Sequence, residues 1–358
     1  VKKGWEVKKF SEVLEIRNGK NQRDVLSDSG IYPIYGSAGN VMGMATDFIC
    51  GAGTTIIGRK GNINSPVYSD TPFWNVDTAF GLSPLSRLDS KFLFYFCLTN
   101  NFEALNRGTT IPSLVKSELL EIEIPLPPLP EQKRIVALLD EAFAGIATAK
   151  ANAEKNLQNA RALFESYLNA VFSQPGDGWV ETTINKISTN LDSKRIPITK
   201  NVRKSGDYPY YGASGIVDYV SDYIFDGDTL LVSEDGANLL ARSSPIAFSV
   251  SGKYWVNNHA HILKFENMAT QRFVEFYLES IKLDDFITGA AQPKLNQKAL
   301  NSIPIPIPHS IETRASVVKI VESLQEETQR LALIYERKLA ALEALKKSLL
   351  QRAFAGEL

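Results

Sequence analysis

One stretch of sequence is written twice in this chain. YPIYGSAGNV at residues 32–41 returns as YPYYGASGIV at 208–217. Around it, Gly4-Trp5 returns as Gly178-Trp179, and DFICGAGTTII at 47–57 returns as DYIFDGDTLLV at 222–232. Trp74 and Ala79 match Trp255 and Ala260, and GTTIPSL at 108–114 matches GAAQPKL at 289–295. IPLP at 124–127 matches IPIP at 305–308, and Ser166, Leu168 and Phe172 match Ser348, Leu350 and Phe354. The offset is roughly 180 residues and drifts by a few, as small loop insertions make it do. A period this long marks a duplicated domain, so whatever fold one half adopts must be built twice.

Each copy has two parts, which divides the chain at 1–130, 131–173, 174–311 and 312–358. The first part mixes short β-rich runs such as TTII at 54–57 and DTLLV at 228–232 with Gly, Pro, Asn and Asp punctuation. It also holds one amphipathic helical stretch, at 91–98 and again at 271–278. Proline strings, IPLPPLP at 124–130 and IPIPIP at 303–308, close each globule just before a helix-starting Glu. The second part is a long helix. Steps of four and three from Ile135 pass through Leu139, Ile146, Asn156 and Leu163; the shifted copy passes through Leu324, Leu331, Lys338, Leu342, Leu345 and Leu349. This is a coiled-coil seam in the same register twice, with Asn156 and Lys338 as its shared polar position. Packing of each helix on its own globule is the competing reading. The predicted class is α+β: two tandem pseudo-repeated globules on twisted sheets, separated by two long helices that form an antiparallel coiled coil.

A helix over 131–172 spans about 63 Å at about 1.5 Å per residue. It carries the chain to a second globule of the same fold, so the last helix has the first as its best seam partner, running back. The expected form is two related but unlike heads on a two-helix rod. That suits a target with two different half-sites, as DNA readers match half-site spacing to their own symmetry.

Composition narrows the function classes. The 358 residues are 44% hydrophobic and 22% charged, enough for roughly two domains. No window approaches a spanning helix, and the first residues have no apolar core of a leader. Cys50 and Cys97 stand alone, without disulfide or metal spacing, so the reading is a reducing, cytoplasmic protein with no membrane role. The net charge of −1 argues against nucleic acid unless the basic groups are local or a partner supplies them. YGSAG lacks the Walker GxxxxGK[ST] pattern of a nucleotide loop. It is either a structural turn or a loop whose backbone approaches DNA. TPFW at 71–74 fails as an adenine-flipping methyltransferase motif, and no acidic cluster of a nuclease is legible. His259 and His261 share a strand face with no third ligand evident, so neither a metal nor a catalytic site is assigned. Trp74 and Trp255 are core residues or base-stacking platforms.

GTTIPSLVKSELLEIEIPLPPLPEQKRIV at 108–136 resembles the specificity subunits (HsdS) of type I restriction–modification systems. So do the GW that opens each half, the repeated YPxYGxxG and the ending LKKSLLQRAFAGEL at 345–358. The second junction departs from the pattern, since residues 305–317 lack PLPEQKRIV. The resemblance implies two target recognition domains that each read half of a bipartite, asymmetric double-stranded DNA site. It implies that the helices set the spacer and dock two adenine methyltransferase subunits. S-adenosylmethionine then binds to those partners and no cofactor to this chain. It further implies motor–nuclease subunits in the complex and no catalysis by this chain. A two-headed scaffold that binds something other than DNA is the alternative.

DNA contacts fall to polar loops. The candidates in the first half are Arg17, Asn18, Lys20, Arg23, Tyr35, Ser37, Arg59, Lys60, Asn62, Arg107 and Thr109. In the second they are Lys194, Arg195, Lys200, Arg203, Tyr211, Ser214, Arg242, Asn257, Asn258, His259, Gln292 and Lys294. Arg59-Lys60 and Glu234-Asp235 occupy one place in the repeat with opposite charge. Either the halves read different bases there, or the loop lies outside the interface.

Overall fold

The computed structural model describes residues 2–289 and 291–358. Val1, and Ala290 within the second GTTIPSL-type motif, lie outside the described residues. Two compact units emerge, Val1–Glu154 with Glu336–Leu358, and Lys155–Tyr335.

The first unit is closed by a ribbon in which Glu6–Lys9 pairs antiparallel with Glu123–Leu126. Its main sheet runs Leu14–Asn18, Ala79–Pro84, Thr54–Gly58, Val67–Ser69, all antiparallel. Thr54–Gly58 is buried along its whole length, which is why TTII reads as a continuous β-branched run. The helix Ser90–Thr99 lies on this sheet, started by Asp89, whose carboxylate accepts the Lys91 and Phe92 N–H groups at 3.0 Å. Phe10, Phe92, Phe96 and Phe102 fill the core between them. A smaller sheet runs Val41–Ala45, Tyr32–Tyr35, Trp74–Asn75.

The second unit repeats this order. Trp179–Thr183 pairs with Pro304–Pro308 as the ribbon, and the main sheet runs Ser188–Asn190, Ala260–Phe265, Thr229–Ser233, Ala247–Val250. Helix Met268–Ser280 is capped by Asn267. The smaller sheet gains one strand and runs Gly215–Val220, Tyr208–Gly212, Lys253–Val256, Phe225–Asp226. Even its irregularity recurs: the register slips between Pro33 and Tyr35 in one unit and between Tyr210 and Tyr211 in the other.

The two long helices are Leu129–Ser173 and Ile311–Ala355. Where the chain enters the first of them, Gln132 is fully buried; its Nε2 donates to Arg87 O and Pro127 O, and its Oε1 accepts the Asp89 N–H at 2.7 Å. Arg314 takes this place in the second unit, with Nε donating to Pro308 O at 2.8 Å. The second junction therefore keeps a tie, made by another residue. In the first unit the helix segments run antiparallel: Lys150 pairs with Glu343 at 2.9 Å and Arg134 donates to Leu358 O at 2.7 Å. Their inner residues also join the globule cores, Ile135, Leu139 and Leu350 in the first and Leu168, Phe172, Val318 and Val321 in the second. Pairing and packing on the globule thus occur together.

The seam departs from expectation beyond its first three heptads. Ile135, Leu139 and Ile146 are buried and Leu324, Leu331, Leu342 and Leu349 are half-buried, but Asn156, Leu163, Lys338 and Leu345 are exposed. Their neighbours Leu157, Phe164, Leu339 and Lys346 turn inward instead. A helix of 3.6 residues per turn drifts by about 20° per heptad against a 3.5 repeat, so the buried stripe moves over by one residue. Asn156 and Lys338 are solvated and set no buried polar register.

Candidate nucleic-acid interface

Backbone hydrogen bonds gather the same loops at one edge of each unit. In the first, Gly61 N donates to Pro112 O at 2.9 Å and Leu114 N to Arg59 O at 2.9 Å. In the second, Gly236 N donates to Pro293 O at 3.0 Å and Leu295 N to Glu234 O at 2.8 Å. The next turn joins through Arg59 N to Thr78 O at 2.8 Å, repeated by Glu234 N to His259 O at 2.9 Å. The tryptophans act alike. Trp74 Nε1 donates to Lys20 O at 3.0 Å and Trp255 Nε1 to Ile196 O at 2.6 Å, so both indoles anchor a polar loop through the ring edge, with Trp74 buried and Trp255 half-buried.

YGSAG is a hairpin turn between strands Tyr32–Tyr35 and Val41–Ala45. Gly39 has φ +72°, and a Cβ there would stand 2.2 Å from Val67 Cγ2, so only glycine fits. The second copy turns more tightly, through Ala213-Ser214, with Gly215 at φ +124°. Tyr35 meets Phe73 edge-on at 5.3 Å, and Tyr211 lies 5.9 Å from both Phe248 and Tyr254. Both rings serve mainly as packing, and burial pushes the Tyr211 phenol up.

The candidate side chains divide into two groups. Asn18, Lys20, Arg23, Lys60, Asn62, Thr109, Lys194, Lys200, Ser214, Asn258 and Gln292 are exposed. Among the described residues the Lys20, Arg23, Lys60, Lys194 and Lys200 side chains form no hydrogen bond or ion pair. Ser37 is half-buried, with its Oγ 3.6 Å from where a Cβ at Gly61 would lie.

The other candidates are engaged internally. Arg17 binds Ile49 O at 2.8 Å and Glu15, and Arg107 pairs with Glu118 at 2.7 Å. Arg59 lies over the Phe80 ring, 5.8 Å from its centroid, and Arg203 covers Tyr210 while pairing with Asp218 at 3.1 Å. His259 pairs with Asp235 at 2.9 Å, and buried Asn257 accepts the His259 N–H. Arg242 is held within its own unit. It adopts φ 49° and donates to Leu278 O and Ile281 O at the end of helix Met268–Ser280, where burial pushes its guanidinium down. Arg195 is held likewise, since its Nη1 binds Glu234 at 2.6 Å and Ala260 O at 2.8 Å.

That pair belongs to a network sequence reasoning missed, because its members lie far apart along the chain. Asp192, Glu234 and His261 bring ligand-type atoms within 4.8 Å of one another. Arg195 and Lys294, the latter 3.1 Å from Glu234, neutralise the two carboxylates, so the cluster suits an internal ion-pair network better than a metal. Burial pushes Asp192 and Glu234 up, but their cationic and hydrogen-bonding partners outweigh it and hold both below the ordinary carboxylate range. The opposite charges at Arg59 and Glu234 thus reflect two ways of packing one loop, and Glu234 is not free to meet a base edge.

The family described as type I restriction modification DNA specificity domain matches residues 2–158 and 176–344. A Haemophilus influenzae protein named as a type I restriction enzyme specificity subunit is 36% identical over 141 residues, 39% of this chain and 36% of that protein. The type I restriction enzyme EcoDI specificity subunit of Escherichia coli is 22% identical over 99% of this chain and 88% of its own. Among solved structures, a chain from work on complex assembly and conformational transition of a type I R-M system superposes with TM-score 0.77 at 18% identity, covering 99% of both chains. The HsdS subunit from Thermoanaerobacter tengcongensis superposes with TM-score 0.62 at 18% identity, covering 100% of this chain and 98% of that one.

Proposed function

The chain belongs to the type I restriction modification DNA specificity family, and on that premise we propose that its two units are target recognition domains, over 1–130 and 174–311, that read the two halves of a bipartite, asymmetric DNA site. The observation that carries this is one loop cluster built twice with the same backbone bonds but different side chains. Asn18, Arg59 and Ile111 stand in the first where Asp192, Glu234 and Gln292 stand in the second. A shared scaffold with unlike tips suits two different half-sites. Lys20, Arg23 and Lys60, and in the second unit Lys194 and Lys200, take phosphates; Asn18, Asn62, Thr109, Asn258 and Gln292 reach for base edges. The long helices set the spacer and dock two adenine methyltransferase subunits, which hold S-adenosylmethionine and complete the positive surface that a net charge of −1 does not supply alone. Motor–nuclease subunits join through that complex, and this chain contributes recognition without catalysis, in the cytoplasm.

Reconstitution with the methyltransferase subunit and S-adenosylmethionine on random duplex, followed by mapping of methylated adenines, tests the reading. A bipartite motif with unlike halves is expected; a single contiguous motif, or none, overturns it. The ruler has its own test. A matched seven-residue insertion in both helices, after Glu154 and before Glu336, adds about 10 Å, or about three base pairs. The preferred spacer should lengthen by that amount with the half-site bases unchanged. Altered bases would count against the helices as a ruler.

A further inference from the structure

We propose that His261 and Asp192 are the positioning pair of the second unit's loop cluster, holding one proton between Nδ1 and Oδ2 that ties three of its loops together. The inference deepens the reading of that cluster as a DNA-binding edge and rests on it only for its last consequence.

His261 is 1% exposed and sits on strand Ala260–Phe265 opposite Val232. Its Nε2 lies 2.7 Å from Leu295 O and its Nδ1 lies 2.5 Å from Asp192 Oδ2. A carbonyl only accepts, so Nε2 carries a hydrogen. A neutral imidazole would then turn a bare lone pair at Nδ1 toward a carboxylate, which also only accepts. Two acceptors do not rest at that distance; a proton lies between them. Asp192 Oδ1 is fixed separately by the Ile262 N–H at 2.9 Å. The other charged groups are Glu234, 3.8 Å from Nδ1; Arg195, which pairs with both carboxylates; and Lys294, on the far side of Glu234. His259 and Asp235 pair with each other at the surface.

The contacts reach three separate loops. Asp192 leads into the loop of Lys194 and Lys200, Glu234 follows strand Thr229–Ser233, and Leu295 closes the loop of Gln292 and Lys294. The first unit has no such device among its described residues. Phe80 lies opposite Ile57 as His261 lies opposite Val232, and Asn18 and Arg59 stand where Asp192 and Glu234 do. None of these three is an imidazole or a carboxylate.

The tied state holds one proton more than a state in which His261 is neutral and released. Above the carboxyl range tying therefore weakens as pH rises, by about tenfold per pH unit once the released form no longer binds the proton. The first unit's loops should not follow.

Hydrogen exchange of the full chain from about pH 6 to about pH 9, the range that brackets histidine titration, expressed as protection factors, tests this. Protection in 192–195, 234–236 and 293–295 is expected to fall with pH while that in 58–62 and 107–114 stays level. Asp192→Asn supplies an amide donor to a neutral Nδ1 and keeps the Ile262 bond, so it should preserve protection and flatten the profile. His261→Phe, the first unit's solution, should lose protection at every pH. A pH-independent second cluster, or an Asp192→Asn profile like the native one, overturns the proposal whether or not His261→Phe folds. If the pH-dependent protection stands and no variant alters methylation of any DNA, the positioning pair is upheld and the DNA reading fails.

Discussion

Replacing Lys20, Arg23 and Lys60 together by alanine should weaken DNA binding of the assembled methyltransferase by roughly a hundredfold and reduce the slope of log affinity against log salt by about 2.7, at about 0.9 for each phosphate no longer neutralised. The three side chains are exposed on one loop edge and form no internal bond among the described residues, so their removal costs the fold little. A change in slope separates weaker phosphate neutralisation from a damaged domain, which would lower affinity with the slope intact. Binding titrations from about 50 to 200 mM salt read both quantities. The half-site bases should stay the same, because phosphate interactions position the protein without reading sequence. An unchanged slope would place this edge away from DNA.

Arg195→Ala should destabilise the second unit by about 3 kcal/mol, the low end for one partner removed from a buried ion pair. Its guanidinium is 14% exposed, and Glu234 and Asp192 are 12% and 7% exposed. Removal leaves Asp192 with His261, and Glu234 with His261 and the half-exposed Lys294. The sign of the pH dependence follows from the lowered carboxyls. Their stabilisation is present above the ordinary values of 3.8 for Asp192 and 4.5 for Glu234 and is lost as pH falls through the folded ones. The penalty of the substitution should therefore shrink below about pH 4. Segment-resolved hydrogen exchange is the suitable measurement, because a chain of two units does not unfold in one step. Equal loss of protection in both units would contradict a local network.

The duplication, the α+β class and the long helices are legible in the sequence because they are carried by residues whose local meaning is fixed. Glycines mark turns, proline strings end globules, and apolar steps of three and four mark helices. The same kind of reasoning fails at two seam positions beyond the third heptad, since a straight helix rotates away from a strict heptad and carries Asn156 and Leu163 to the surface, while Ala153 and Ala160 stay buried. It also does not separate cations with internal partners from those without. Arg17, Arg107, Arg195 and Arg242 look alike in sequence, yet each meets a carboxylate or carbonyl. Three of these partners come from more than 30 residues away, Ile49 32 residues from Arg17, Glu234 39 residues from Arg195 and Ile281 39 residues from Arg242. No local pattern announces such a meeting. The Glu234 swap misleads for the same reason, because its partners Arg195 and Lys294 flank it from opposite directions along the chain.

The ribbons that close the units have a consequence for inheritance. Glu6 stands across from Leu126, and Trp179 across from Pro308, so each globule begins and ends at adjacent points. A segment whose two ends meet can be lifted out and replaced by a homologous one without shifting the chain on either side. Genetic exchange with breakpoints in the two strands of a ribbon would therefore deliver an intact new globule in one event. Each half can be replaced while the other half and the helices are transmitted unaltered.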